Sequence, residues 1–225
     1  MMPFEGGIES MANGLLILSV VAAGLYLLVL DRTPDLRRTV VKTLPVALLA
    51  VLAVVQEAPI LLAVALALSA LGDAFLSRRG EGAFMAGLAS FLAAHAVYIA
   101  LFAFSGAGME SATGDIWRVP VAILMAIFAL GMMAVLWPRL PSNMRLPVLV
   151  YTAAIFIMGL SALTMNSVVI ILGAVLFMIS DGLLATERFA LPEASRHRAW
   201  MRTAVWITYY AAQLLITLGF VLSAL

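Results

Sequence analysis

Residues 68–80 read LSALGDAFLSRRG, and this stretch decides what kind of protein the chain is. An apolar run closes on Arg78 and Arg79, which is how a membrane-spanning helix stops at the headgroups. Inside that run stands Asp73, a carboxylate where hydrocarbon is expected. Composition settles the medium: 64% of the 225 residues are hydrophobic and 11% charged, where an ordinary soluble chain has roughly a quarter of its residues charged. Mean hydropathy is +1.12. The fold class that follows is all-α and polytopic, a single eight-helix transmembrane domain over residues 1–225.

Working outward from residue 68, apolar stretches of spanning length recur near 14–30, 39–55, 60–77, 82–104, 118–137, 147–164, 167–186 and 203–224. Basic residues alternate with them. Arg32, Arg37 and Arg38 follow the first stretch, Arg78 and Arg79 the third, Arg139 and Arg145 the fifth, and Arg188, Arg196, Arg198 and Arg202 the seventh. The intervening loops QEAP, SGAGMESATGD and TMNS carry neither Lys nor Arg. Short basic loops stay cytoplasmic, so both termini are expected on the non-cytoplasmic side, with a bacterial inner membrane as the expected location. The opening MMPFEGGIESMANG is acidic, which argues against a cleaved signal peptide, so the first stretch is expected to remain as a helix. A faint echo between ALGDAFL (70–76) and MISDGLL (178–184) hints at two parallel four-helix halves, 14–104 and 118–224.

Polar residues inside the spans form a layer. A rise of 1.5 Å per residue from the expected cytoplasmic helix ends puts Lys42 at about 5 Å, Asp73 and Tyr151 at about 6 Å, Asp181 at about 8 Å and Tyr209 at about 9 Å. His95 lies at about 20 Å, and Tyr98 deeper still. Lys42 admits two readings, snorkelling to the headgroups or pairing with Asp73 to hold two helices together. Aspartate is too short to snorkel far, so Asp73 and Asp181 are expected to face the bundle interior as functional or tightly paired groups. Phe84, Gly87, Phe91, His95, Tyr98 and Phe102 share one helix face. Such a stripe is ordinarily packing, just as Gly72, Gly87 and Gly173 ordinarily permit close helix approach. Pro45, just beyond Lys42, is expected to release a backbone carbonyl near the polar layer.

Function classes narrow on the same grounds. There is no cysteine, and His95 and His197 are the only histidines, so neither a metal site nor a cofactor is expected. A net charge of +1 gives no basis for nucleic-acid binding. The partners indicated are lipids, with Arg78 and Arg79 as candidate contacts for a headgroup phosphate. Oligomeric state is left open.

The order and spacing of K-T-L-P (Lys42, Pro45), L-G-D-x-F-L (Gly72, Asp73, Phe75), F-x-x-G-x-x-x-F-x-x-x-H-x-x-Y (Phe84 to Tyr98), G-x-x-x-F-x-x-S-D (Gly173, Phe177, Ser180, Asp181) and Y-x-x-Q-x-L-I (Tyr210, Gln213, Leu215, Ile216) resemble the YhhN-like lysoplasmalogenase family. The resemblance implies eight membrane helices and hydrolysis of the vinyl ether bond of lysoplasmalogens. The products would be a fatty aldehyde and glycerophosphoethanolamine or glycerophosphocholine, and the partner a lysophospholipid substrate. Such chemistry needs an acid to protonate the outer alkenyl carbon and a negative charge beside the resulting oxocarbenium ion, the division of labour of glycosidase carboxyl pairs. Asp73 and Asp181 are the expected catalytic pair, either one able to be the acid. Lys42, His95, Tyr98, Tyr151, Tyr209 and Gln213 are expected to support catalysis or substrate binding.

Two other readings use the same aspartates. A proton-coupled transporter would carry protons on them, but transport sites usually lie near the midplane, deeper than this layer. An intramembrane aspartyl protease lacks its Tyr-Asp and Gly-x-Gly-Asp motifs here. The orientation is open to direct test: in a bacterial host, alkaline phosphatase fused after Leu225 should be active and a green fluorescent protein fusion dark. The reverse pattern would invert the topology.

Overall fold

The computed structural model describes residues 3–106, 108 and 114–222. Among the described residues the regular structure is helical throughout. The α-helices described are α1 (Met11–Val29), α2 (Leu36–Val55), α3 (Ile60–Leu76), α4 (Glu81–Ser105), α5 (Arg118–Leu136), α6 (Ser142–Ala162), α7 (Val168–Ala185) and α8 (His197–Val221). Seven are long and apolar enough to cross a membrane, and α3 is shorter at 17 residues. The chain is a polytopic all-α membrane protein. Its outward faces are apolar, with Leu28, Leu124 and Leu130 exposed, while Asn13, Ser69, His95 and Gln213 are buried. That distribution is the reverse of a soluble protein's and suits a lipid solvent, where polar groups must find partners inside.

Helix starts depart from hydropathy mainly in one direction. Several helices begin well before their apolar stretches: α1 at Met11 rather than 14, α2 at Leu36 rather than 39, α6 at Ser142 rather than 147, and α8 at His197 rather than 203. Hydropathy marks the hydrocarbon, but a helix continues through the headgroups wherever its residues tolerate it and its first N–H groups are capped. Asp35 caps α2, its carboxylate accepting from the Arg38 N–H at 2.7 Å. As a result Arg37, Arg38, Arg145, Arg198 and Arg202 are helical, not loop, residues.

The chain divides into two compact units, residues 1–98 with 213–225, and residues 99–212. In the first, α1 packs on α2 and α2 on α3. Ser19 on α1 donates to the carbonyl of Pro45 at 2.8 Å. Pro45 sits within α2, where its ring removes the N–H that the carbonyl four residues earlier would accept. Gly80 turns the chain from α3 into α4 at φ +105°, a conformation that suits glycine. Across the α3–α4 contact, Phe91 lies against Gly72 and Leu76 against Gly87, and Ser90 donates to the Leu68 carbonyl at 2.7 Å.

In the second unit α6 packs against α5 and α7. Gly159 admits Met178 and Met125, and Gly182 admits Phe128. A cavity of about 440 Å³ between α5 and α7 is lined by apolar side chains, Trp117, Leu124, Phe128, Ile171 and Val175 among them.

A Cβ at residue 72 would lie 2.6 Å from the Phe91 ring. Gly72→Ala should therefore destabilise the protein by about 1–3 kcal/mol, seen as a lower melting temperature in detergent. Adding Phe91→Leu should recover much of that loss. An unchanged melting temperature in the single variant would contradict the contact.

Candidate functional site

The expected catalytic and supporting residues sit on helices whose positions are set by the packing above, while Arg78 and Arg79 lie in the turn between α3 and α4. In the first unit, Lys42 Nζ on α2 lies 3.3 Å from Asp73 Oδ1 on α3. The Asp73 side chain is 2% exposed and that of Lys42 13%, so the pair is withdrawn from solvent. Of the two readings of Lys42, pairing is the one observed. Charges in a low-dielectric interior persist only when matched, which makes this contact a condition of the α2–α3 packing.

A second polar rung lies one turn outward. Arg38 Nη1 donates to the Ser77 carbonyl at 2.9 Å, and Nη2 approaches the Tyr26 hydroxyl at 3.4 Å. The Thr39 and Ser77 hydroxyls share a hydrogen bond of 2.7 Å. Arg38 thus satisfies a carbonyl at the end of α3, where intrahelical donors run out. Arg38 to Lys42 and Asp73 to Ser77 are both steps of four residues, so the two rungs are about 6 Å apart along antiparallel helices. Arg78 and Arg79 follow Ser77 directly and are exposed.

Deeper in the first unit, the Tyr98 hydroxyl donates to Gln213 Oε1 at 2.5 Å, joining α4 to α8. Both residues are fully buried, as is His95 on α4. The Gln213 Nε2 group is shielded and has no hydrogen-bond acceptor among the described residues. His95 and Tyr98 therefore belong to a buried polar layer well inside α4, away from its first turn.

In the second unit, the Tyr151 hydroxyl on α6 donates to Asp181 Oδ2 on α7 at 2.6 Å. Asp181 is half-buried. The preceding Ser180 ties α7 to α8 through the Val205 carbonyl at 3.0 Å. Tyr209 packs its ring edge-on to Phe177, centroids 5.6 Å apart, and against Trp206 at 5.8 Å. Trp206 in turn stacks on Tyr210. Among the described residues, no group of three His, Cys, Asp or Glu side chains is placed to hold a metal ion.

The structure thus joins Lys42 with Asp73, Tyr98 with Gln213, and Tyr151 with Asp181, and surrounds Tyr209 with aromatic rings. It also gives a role to two residues that the sequence pattern does not single out. Arg38 stands in the sequence as one of several topology-setting arginines, yet it bridges two helices. Arg118, the first residue of α5, is 4% exposed, with its guanidinium donating to the carbonyls of Leu163 (2.5 Å) and Met165 (3.0 Å) and to Asp115 Oδ2 (2.9 Å). The one sequence signal for it is Asp115, three residues earlier, because the carbonyls it caps are more than forty positions away.

A multi-helix membrane protein with partnered carboxylates on α3 and α7 is the class these features define. The chain belongs to the YhhN family, whose pattern it matches over residues 37–220. It is 34% identical over 161 residues to the lysoplasmalogenase of Mycobacterium bovis, an alignment covering 69% of this chain and 58% of that protein. To human lysoplasmalogenase TMEM86B it is 36% identical over 156 residues, covering 69% and 61%, and to bovine lysoplasmalogenase TMEM86A 31% over 166 residues, covering 69% and 63%. The chain spans about six-tenths of the length of these relatives. No solved structure matches it.

The ion pair has a measurable consequence. Lys42→Met takes the ammonium group away from a buried carboxylate and should cost on the order of 3 kcal/mol, read as a fall in melting temperature. The double variant Lys42→Met with Asp73→Asn should recover most of it, and a double variant no more stable than the single one would show that the contact carries no coupling.

Proposed function

We propose that this protein hydrolyses the vinyl ether bond of lysoplasmalogen-type lysolipids, with acid and base work divided between Asp73 and Asp181. Family membership and the activity for which the relatives are named support the reaction class. The observation that carries the assignment of roles is the unlike dressing of the two carboxylates: Asp73 faces an ammonium group at 3.3 Å, Asp181 a neutral phenol at 2.6 Å. Carboxyl groups in unlike settings are how one site holds an acid and a carboxylate together.

On this reading Asp181 is the acid. Its proton goes to the outer alkenyl carbon while the Tyr151 hydroxyl holds the other carboxyl oxygen in place. The double-bond electrons form the new C–H bond, leaving an oxocarbenium ion whose positive charge the Asp73 carboxylate offsets. Water adds to the carbon bonded to the ether oxygen, where the positive charge lies, and one of its protons passes to the Asp181 carboxylate. The resulting hemiacetal then collapses: its C–O bond to glycerol breaks as the hydroxyl proton is passed to the departing glycerol oxygen, giving a fatty aldehyde and the glycerophospho headgroup. Ethanolamine and choline lysoplasmalogens are the substrates to test first. Lys42 keeps Asp73 in place and balances its charge in the resting protein.

The proposal is tested by giving purified protein a lysoplasmalogen and measuring aldehyde. Wild-type protein should release it, and Asp181→Asn and the paired variant Lys42→Met with Asp73→Asn, which strands no charge, should each reduce the rate at least about a hundredfold with folded yield retained. Release that survives both substitutions would end the acid–base assignment. Uptake of lipid without aldehyde would favour transport.

A further inference from the structure

We propose that Arg38 is the headgroup-phosphate contact of the substrate site, bound one helical turn outward from the Lys42–Asp73 pair. The inference rests on the hydrolase reading above and adds a subsite to it. Three observations carry it.

Position comes first. Arg38 is fixed on the outer rung, its guanidinium held by the Ser77 carbonyl at 2.9 Å and lying over the Tyr26 ring with its carbon 6.0 Å from the centroid. The four-residue steps from Arg38 to Lys42 and from Ser77 back to Asp73 separate the rungs by about 6 Å. In a lysolipid the ether oxygen and the phosphate sit at opposite ends of a three-carbon glycerol, a span of about 5 Å at bond lengths near 1.5 Å. A vinyl ether beside Asp73 therefore brings its phosphate to the level of Arg38.

Donor capacity comes second. The half-buried guanidinium gives one N–H of Nη1 to the Ser77 carbonyl and one of Nη2 to the Tyr26 hydroxyl, so each Nη keeps a second N–H for a phosphate oxygen, while Nε is shielded. Arginine's planar fork suits phosphate oxygens and is already oriented here, so little side-chain freedom is lost on binding.

Charge comes third. The nearest carboxylate in sequence, Asp35, is engaged as the α2 cap through the Arg38 backbone N–H. Asp73 is matched by Lys42, so the guanidinium of Arg38 has no carboxylate partner among the described ion pairs. Arg78 and Arg79 follow Ser77 and are exposed. They add a general positive field to the same corner, whereas the fork of Arg38 provides a directed contact.

The test measures binding without turnover. A saturated 1-O-alkyl lysophospholipid, which has no vinyl ether to cleave, is compared with a 1-O-alkylglycerol of the same chain length, which lacks the phosphate. Wild-type protein in detergent should bind the lysophospholipid at least about tenfold more tightly. Arg38→Gln should close that gap without weakening alkylglycerol binding, and Arg37→Gln, a charge loss on an exposed neighbour, should leave the gap open. Arg38→Lys keeps the charge and loses the fork, so it should narrow the gap, and it serves as the deciding variant should Arg38→Gln not fold. Inorganic phosphate should compete far more weakly than the lysophospholipid. The assignment is overturned by no gap in wild-type protein, by a gap unchanged in the Arg38 variants, by equal weakening of both ligands, or by inorganic phosphate competing as well as the lipid. Because hydrolysis is not needed for the readout, loss of the phosphate preference is distinguishable from failure to release aldehyde.

Discussion

A carboxylate buried in a bundle of apolar helices must have a partner, and the pairing of Asp73 with Lys42 is the contact on which the first unit depends. The 3.3 Å separation requires α2 and α3 to run side by side with Lys42 and Asp73 level. The rest of that corner keeps them level. Arg38 and Thr39 grip Ser77 one turn outward, and Gly72 lets the Phe91 ring of α4 come against α3 from another side. Removing one charge leaves the other stranded in a medium that cannot solvate it, whereas removing both leaves ordinary packing. That asymmetry makes the pair a strong determinant of helix register.

The second unit solves similar problems with different chemistry. Asp181 is held by a tyrosine hydroxyl, not by a cation, and Arg118 is buried by giving its donors to carbonyls at the end of α6 and to Asp115. In both units, then, an arginine or lysine finishes the hydrogen bonding or charge balance of a neighbouring helix. The two carboxylates end up in unlike surroundings, one facing an ammonium group and the other a phenol.

Much of the fold is legible in the amino-acid sequence. Each of the eight apolar stretches overlaps the helix observed for it, because spanning length and backbone satisfaction in lipid leave few alternatives. The departures are systematic: α2, α6 and α8 start earlier than their apolar stretches since the first turn of each lies where Arg and Ser are comfortable. Hydropathy also leaves Arg38 hidden as a bridging residue, because its role depends on reaching the end of a different helix. The same holds for the candidate site. Asp73 and Asp181 stand out as carboxylates in apolar surroundings, but nothing local to either marks one for a lysine and the other for a tyrosine.

By itself the sequence determined the solvent of this protein, where the helices among its described residues would fall and the polar residues that would have to be accounted for. Those follow from local properties, the length and hydropathy of each stretch. Tertiary structure alone decided the partners: Lys42 for Asp73, Tyr151 for Asp181 thirty positions away, and Gln213 for Tyr98 at a separation of 115. Hydropathy records which side chains need a partner but carries no information about distance between helices. Only packing brings donor and acceptor within about 3.5 Å, and in hydrocarbon, with no water to substitute, that meeting determines what each polar group can do.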